Sequence, residues 1–213
     1  MRSERFLIRD RAIVRDEWTL IAHTRDRDAS LPAGPIIVPL TLWQSERALL
    51  EAVYLDRAFP LGVWLEPQHD PALIAADAHR FALIAVDFPK FADGRGYSTA
   101  ALLRSRYGFK GELRAIGDVL RDQLFYLKRA GFNAFALRAD KDITDALRAF
   151  DDFSETYQGA VDQPLPLFRR RATSSPSPSM DERGHMDVPA DILVPRESEP
   201  PVCGEVEQGL GRG

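Results

Sequence analysis

The sequence predicts an α/β domain with a mainly parallel, open sheet of about five βα units and a disordered C-terminal tail. Short apolar runs alternate along the chain with segments of helical periodicity. One of these runs, Phe81 to Val86, is almost continuously apolar, which is typical of a strand buried on both faces. Alternation of this kind indicates parallel strands joined by helical crossovers. Five units favour an open sheet or a partial, TIM-like barrel over a closed barrel.

The first elements are a hairpin, a strand and a helix. Phe6 to Ala22 has short apolar runs separated by charged pairs, which predicts a strand or hairpin that extends the domain over residues 1–30. The β-branched run from Ile36 to Leu40 predicts the next strand. Thr41 and Gln44 have the spacing of a capping box, so we expect a helix to begin at Thr41.

The remaining units follow the same pattern. Asp70 and Pro71 supply an N-cap and a proline at the first helical position, and we expect Ser98 to cap the following helix. Gly131 is expected to end a helix predicted from Val119 to Ala130. The other predicted elements are strands at Leu61 to Leu65, Phe81 to Val86, Leu113 to Ile116 and Phe132 to Leu137, and a helix at Ile143 to Phe153.

A change in composition near residue 163 predicts the domain boundary. Residues 164–213 hold 8 of the 15 prolines and a single aromatic residue, Phe168. Too little apolar surface is available there to offset the entropy of ordering the backbone. We therefore expect an α/β domain over residues 1–163 and a disordered, Pro/Ser-rich tail over residues 164–213. The only cysteine, Cys203, lies in this tail and is given no catalytic role.

Charge and composition exclude several classes of protein. With 28 basic and 32 acidic residues the net charge is -4, so nothing indicates nucleic acid or an anionic membrane as a partner. No apolar run approaches the ~20 residues that span a bilayer. The N-terminus lacks the apolar core of a signal peptide, so we expect the protein in the cytoplasm. One cysteine excludes an internal disulfide and an iron–sulfur cluster held by cysteines of one chain.

Charged residues follow several of the predicted strands, where ligands bind in parallel α/β folds. Asp87 and Lys90 follow the strand that begins at Phe81, and Asp118 follows the next one. Asp87 or Asp118 is suited to be a general acid or base, and Lys90 to tune the pKa of that group. Helix capping is the competing explanation for Asp118, because aspartate is a favoured cap.

Charged and polar side chains are most concentrated in one segment of 20 residues, Asp87 to Arg106, with the sequence DFPKFADGRGYSTAALLRSR. Gly94 and Gly96 let the backbone approach a ligand closely, and the helix expected at Ser98 would present free N–H groups to an anion. The segment matches neither a Walker loop nor the dinucleotide fingerprint. An ordinary glycine turn capped by serine explains the glycines equally well.

Metal and serine-hydrolase sites are weakly indicated. The four histidines are scattered, so the residues predict no metal site of histidine type. A magnesium site of Glu66, Asp87 and Asp118 is a remaining alternative, because these carboxylates close three successive strands. The chain has no GxSxG motif.

The run FADGRGYSTAALLRSRYGFKGELRAIGDVLRDQLFYLKRAGFNAFAL, Phe91 to Leu137, resembles a bacterial family, domain of unknown function nine hundred and thirty-four. The resemblance covers about Ile36 to Phe153, and the blocks DGRGYS, GELRA and GDVLRDQL carry it. Members recur beside assimilatory sulfite reductase and are often labelled as oxidoreductases. The family's leading residues correspond to Asp87, Asp93, Gly94, Arg95, Gly96, Ser98, Arg104, Arg106, Glu112, Arg114, Gly117, Asp118, Asp122 and Gln123.

The resemblance implies an accessory protein of assimilatory sulfite reduction, one that binds sulfite reductase or delivers electrons or substrate to it. A redox role would need a bound flavin or nicotinamide, or a metal centre of the partner. The alternative is a small enzyme that binds an anionic substrate, bearing phosphate or sulfate, at the DGRGYS loop. A scaffold without a ligand is a third alternative, so whether the chain is an enzyme stays open. The expected ligand-binding residues are Asp93, Gly94, Arg95, Gly96, Ser98, Arg104 and Arg114, and the expected catalytic residues are Asp87, Asp118 and Lys90.

Overall fold

The computed structural model describes residues 5–22, 32–55 and 59–174. The chain divides into two units, Met1–Arg170 and Arg171–Gly213. The first unit carries the fold described below. Of the second unit the description covers only residues 171–174, which end a helix. Most of the predicted tail, with Cys203, therefore lies outside the described residues.

Eight strands form one mixed sheet that curls into a half-barrel. The strands are β1 (Phe6–Arg9), β2 (Ala12–Arg15), β3 (Thr19–Leu20), β4 (Ile36–Pro39), β5 (Leu61–Leu65), β6 (Leu83–Phe88), β7 (Glu112–Gly117) and β8 (Ala134–Phe135). Their order across the sheet is β2-β1-β8-β7-β6-β5-β4-β3. Strands β3 to β8 are parallel, whereas β1 is antiparallel to both β2 and β8.

The predicted α/β class is confirmed, but the predicted five-stranded open sheet is wrong. The five predicted strands exist as β4 to β8. The N-terminal segment, expected to be an extension, adds a hairpin to one edge of the sheet and β3 to the other edge. The partial-barrel alternative describes the curl of this sheet better than the open sheet does.

The described residues include five α-helices and several tighter turns, of which α1 to α3 connect strands and α4 and α5 follow the last strand. The helices are α1 (Leu40–Leu50), α2 (Arg95–Ser105), α3 (Leu124–Ala130), α4 (Ile143–Leu147) and α5 (Leu167–Ser174). A π-helical turn covers Glu51–Leu55, and 3₁₀ turns cover Pro71–Ile74, Ala78–Arg80, Arg121–Gln123 and Arg148–Asp151. Helix α5 lies inside the predicted tail, so the first residues of that tail are helical. No helix in the described part of the chain is long and apolar enough to cross a membrane.

Three predicted helix starts need correction. Strand β4 runs directly into α1, with Pro39 at the N-cap, so Thr41 lies inside the helix and is not its N-cap. Helix α2 begins at Arg95, which leaves Ser98 exposed within it. The helix predicted from Val119 begins instead with the 3₁₀ turn at Arg121. The predicted cap at Asp70 is confirmed, although it begins a single 3₁₀ turn.

The two faces of the sheet have different surroundings. Side chains such as Ile84, Val86 and Phe88 of β6 join the large apolar core shared with the helices. The alternate positions of the same strand, Leu83 and Ala85, belong to a second cluster on the inner face. Period-two alternation along the strand produces this division.

A short connection crosses from one edge of the sheet to the other. Strands β2 and β3 are the two edge strands, and only residues 16–18 join them. Four Cα–Cα steps span at most about 15 Å, since each trans step is 3.8 Å. The two edges therefore approach closely, and the crossing segment (residues 16–18) lies beside the inner face of the curled sheet.

Candidate functional site

The inner face of the half-barrel encloses a cavity of about 580 Å³, here called the concave cavity. Its floor is formed by side chains of β4 and β7, and the crossing segment contributes Trp18. The loop after β8 forms the rim. The lining residues are Arg5, Phe6, Asp16, Trp18, Leu20, Ile37, Arg114, Ile116, Gly117, Ala136, Leu137, Arg138, Ala139, Lys141 and Ile143. The carboxyl ends of β7 and β8 thus border the cavity, as is usual for ligand sites in this class of fold.

Arg114 is a buried cation in the cavity floor. Its side chain is 3% exposed, and Nη1 donates to Oδ1 of Asp16 at 2.9 Å. Nε donates to Oε1 of Glu112 at 2.7 Å, and Nη2 lies 2.6 Å from the same oxygen. Buried charges need such compensation. Since Asp16 belongs to the crossing segment, this ion pair fastens that segment to the central strand β7.

Local hydrogen bonds orient Asp16 toward the arginine. Its Oδ1 also accepts from the backbone N–H of Trp18 at 3.2 Å. The backbone N–H of Asp16 donates to the carbonyl of Arg5 at 2.8 Å. The turn at the end of β2 therefore sets the position of both Asp16 and Trp18 in the cavity wall.

The rim of the concave cavity is a charged loop after β8. The Arg138 guanidinium donates to Asp140 through Nε and Nη2 at 2.6 and 3.0 Å, and to Asp118 through Nη1 at 2.8 Å. Lys141 lies 3.3 Å from Asp140. The hydrogen bonds with Asp140 and Asp118 raise the pKa of Arg138, and the same contact with Arg138 holds the pKa of Asp140 well below its usual range. Arg138 and Asp140 therefore stay ionised across the physiological pH range.

Asp118 joins three loops at the carboxyl edge of the sheet. Its Oδ2 accepts from the backbone N–H of Phe91 at 3.0 Å, while its Oδ1 accepts from Arg138. Gln123 donates from Nε2 to the carbonyl of Phe91 at 3.2 Å and accepts from the N–H of Leu120 at 2.9 Å. Asp118 does not cap a helix. It fixes the loop after β6 and orients a cation that lines the cavity.

The structure does not join the three expected catalytic residues into one hydrogen-bonded group. Asp87 is half-buried near the end of β6, and its Oδ1 lies 2.6 Å from the point where a Cβ would stand on Gly117. Lys90 is exposed, and no hydrogen bond or ion pair connects it to Asp118 within the described ranges. None of the three lines the concave cavity, although Gly117 does.

The DGRGYS loop is closed on itself by an ion pair. Arg95 donates from Nε and Nη2 to Asp93 at 3.0 and 2.6 Å, and its backbone N–H donates to the same carboxylate at 3.2 Å. The hydrogen bond raises the pKa of Arg95 and lowers the pKa of Asp93. The protein's own carboxylate therefore sits at the N-terminus of α2, where an external anion was expected.

The glycines of this loop have different surroundings. A Cβ on Gly96 would lie 2.5 Å from the ring of Phe88, whereas one on Gly94 would meet nothing within 4 Å. Gly96 is helical, so it serves the close packing of α2 on β6. The expected reason, a backbone turn around a ligand, does not apply to Gly96.

Arg104 binds neighbouring loops of the protein itself. Its guanidinium donates to the carbonyls of Gly131, Phe109 and Gly111 at 2.9, 2.7 and 2.9 Å, and to Oδ1 of Asn133 at 3.1 Å. Burial among these neutral acceptors lowers the pKa of Arg104. The side chain ties the end of α2 to the loops before β7 and β8. It does not line the cavity, so the structure separates it from Arg114.

The magnesium alternative finds no geometric support. Within the described ranges, no three histidine, cysteine, aspartate or glutamate side chains form a group that could hold a metal ion. Glu66 lies in a turn in which its backbone N–H donates to Nδ1 of His69 at 3.1 Å. Glu66, Asp87 and Asp118 therefore do not form a carboxylate cluster.

Sequence reasoning missed most of the cavity wall. Asp16 and Trp18 lie in a segment that was expected to be only an extension. Lys141 lies in the loop after β8, and no sequence motif marked it as part of a site. Two signals were usable: Arg114, a cation in the strand ELRAIG that requires a carboxylate partner, and Arg138, which follows the last predicted strand.

A family model matches the part of the chain that supplies most of the cavity lining. The model described as "Bacterial protein of unknown function (DUF934)" matches residues 62–168, which is half of the chain. The matched range includes the DGRGYS loop, Arg114 and the rim loop, whereas the crossing segment precedes it. Searches of curated proteins and of solved structures found no match.

Proposed function

Because the chain belongs to the DUF934 family of bacterial proteins of unknown function, we propose that it acts in the setting that the resemblance implied, as an accessory protein of assimilatory sulfite reduction. Its own contribution is to bind a small anion in the concave cavity. Sulfite reductase is the proposed partner, and the anion is the substrate or product that the accessory protein holds.

The composition of the cavity wall carries the proposal. Four cationic residues line it, Arg5, Arg114, Arg138 and Lys141, and Asp16 is the carboxylate among its lining residues. The whole chain, by contrast, has a net charge of -4. The other carboxylates that pair with these cations, Glu112, Asp118 and Asp140, are not among the lining residues. A ligand in the cavity therefore meets N–H donors in excess of acceptors.

Arg114 has hydrogen-bonding capacity beyond its ion pairs. A guanidinium carries five N–H groups, and three nitrogens each use one toward Asp16 or Glu112. These ion pairs leave two of its N–H groups unused, and Arg114 is one of the residues that line the cavity. Lys141 adds an ammonium group that pairs with one carboxylate at 3.3 Å.

A role as an electron carrier would need a further group. The only cysteine is Cys203, so the chain holds no cysteine-ligated cluster of its own. An oxidoreductase role would require a bound flavin or nicotinamide, or a metal centre of the reductase. Anion binding and docking to the reductase need neither.

A thermal-shift titration with sulfite, sulfate and phosphate at low salt tests the anion half of the proposal. We expect each anion to raise the melting temperature of the full chain, and Lys141→Gln to reduce that rise. Arg95→Gln is the matched control, because Arg95 is an exposed cation paired with Asp93 away from the cavity. Loss of the shift in Arg95→Gln alone would favour the alternative site at the DGRGYS loop. Absence of a shift with every anion would refute binding.

Affinity capture tests the partner half. The tagged full chain is recovered from sulfate-grown cells, and sulfite reductase is expected in the eluate. Repeated absence of the reductase would contradict the proposal. Capture by the Lys141→Gln variant as well would show that docking does not depend on the cavity.

A further inference from the structure

The size of the concave cavity exceeds that of an inorganic oxyanion. Its volume is about 580 Å³. An inorganic oxyanion fills the space of a few water molecules, each of which takes roughly 30 Å³ in the liquid. Sites for larger organic ligands span roughly 300–1,000 Å³. The cavity therefore has room for an organic body attached to the anion.

One wall of the cavity is apolar and exposed. Leu20 lines it with 43% of its surface exposed. Leu20 is paired with Ile37 across β3 and β4, so these two side chains share the inner face with half-buried Trp18. Apolar residues exposed together in a concave site are typical of binding surfaces.

The part of the lining beside β8 is cationic, away from β3 and β4 in the strand order. Arg138 and Lys141 stand on the rim loop after β8, and Arg5 approaches from the strand end that neighbours it. The cavity is thus divided into an apolar side and a side that offers N–H donors. This division matches a ligand that has one apolar face and one acidic group.

We propose that the concave cavity binds an amphipathic anion, a planar aromatic or heterocyclic body that carries a phosphate ester. The ring lies against Trp18, Leu20 and Ile37, and the phosphate meets Arg138 and Lys141. This inference rests on the proposed anion site and narrows its ligand class. Aromatic rings suit this wall because they pack against an indole and aliphatic side chains with little loss of conformational freedom.

Naphthyl phosphate, naphthol and inorganic phosphate are the probes, titrated into the full chain by calorimetry. We expect naphthyl phosphate to bind at least about tenfold more tightly than either fragment, because it uses both parts of the cavity. Leu20→Gln should weaken naphthyl phosphate and leave inorganic phosphate unchanged. Lys141→Gln should weaken both. Leu73→Gln is the matched control, since Leu73 is 54% exposed on the 3₁₀ turn at Pro71–Ile74.

The outcomes separate this inference from the proposed function. Binding of phosphate with no gain from the naphthyl ring would overturn the inference and leave the anion site intact. Equal effects of Leu20→Gln and Leu73→Gln would also overturn it. Binding of naphthyl phosphate that is insensitive to Lys141→Gln would assign the ligand to another surface, against both proposals. Melting temperatures of each variant establish that the fold is retained.

Discussion

Replacing Arg114 by methionine should destabilise the protein strongly and detach the crossing segment. The guanidinium is 3% exposed, and its carboxylate partners Asp16 and Glu112 are 13% and 11% exposed. Removal of one partner of a buried ion pair costs about 3–5 kcal/mol, because the remaining charge is left buried without compensation. Glu112 keeps a contact with Arg9 at 3.5 Å, so Asp16 is the group that loses most.

Urea denaturation followed by circular dichroism measures this cost. Arg121→Met is the matched control, because Arg121 forms an exposed pair with Asp152 for which about 0–1 kcal/mol is expected. Asp16→Asn combined with Arg114→Met completes a double-mutant cycle, and we expect the second substitution to recover part of the loss. An Arg114→Met cost no larger than that of Arg121→Met would refute the assignment of Arg114 as the anchor of the crossing segment.

A glycine substitution with its control and a truncation also have definite expected outcomes. Gly96→Ala should cost about 1–3 kcal/mol by overpacking, because its Cβ would lie 2.5 Å from the ring of Phe88, while Gly94→Ala should be nearly neutral in the same urea titration. A chain that ends at residue 163 should melt a few degrees below the full chain in calorimetry, because the Arg170 guanidinium then no longer donates to the loop before it at 2.8 Å. Equal melting temperatures would show that these hydrogen bonds contribute nothing to stability.

Local patterns were sufficient for the central strands of the sheet. The runs LGVWL and FALIAV are apolar because the parallel strands are covered on one face by helices and curve around an inner face with its own apolar cluster. Their periodicity is a property of neighbouring residues, so it is visible in the sequence. The left-handed residue that ends α3, Gly131, was predicted on the same local basis.

The candidate site was less accessible because its contacts are distant in the sequence. The ion pair of Asp16 with Arg114 joins residues 98 positions apart, and no local pattern encodes it. The expectation for the DGRGYS loop was wrong about the helix start, because Asp93 rather than Ser98 supplies the carboxylate or hydroxyl that meets the first N–H of α2. The two charged residues of that loop, Asp93 and Arg95, pair with each other.

The positions of the N-terminal strands in the sheet were likewise not predictable from local sequence. Its hairpin was predicted, but the three-residue connection from β2 to β3 places two strands at opposite edges of the sheet. Such a placement depends on the curl of the whole sheet. A sequence read segment by segment has no information about how far that sheet closes.

Nuclear magnetic resonance of the three tryptophan indoles tests the central claim, anion binding in the concave cavity, most directly. Trp18 lines the cavity, whereas the Trp43 indole N–H donates to Asp77 on the helical side of the sheet at 3.4 Å. Titration of the full chain with phosphate or sulfite should shift the Trp18 indole signal and leave that of Trp43 in place. Shifts confined to the amides of the DGRGYS loop, with the Trp18 indole unchanged, would contradict the account.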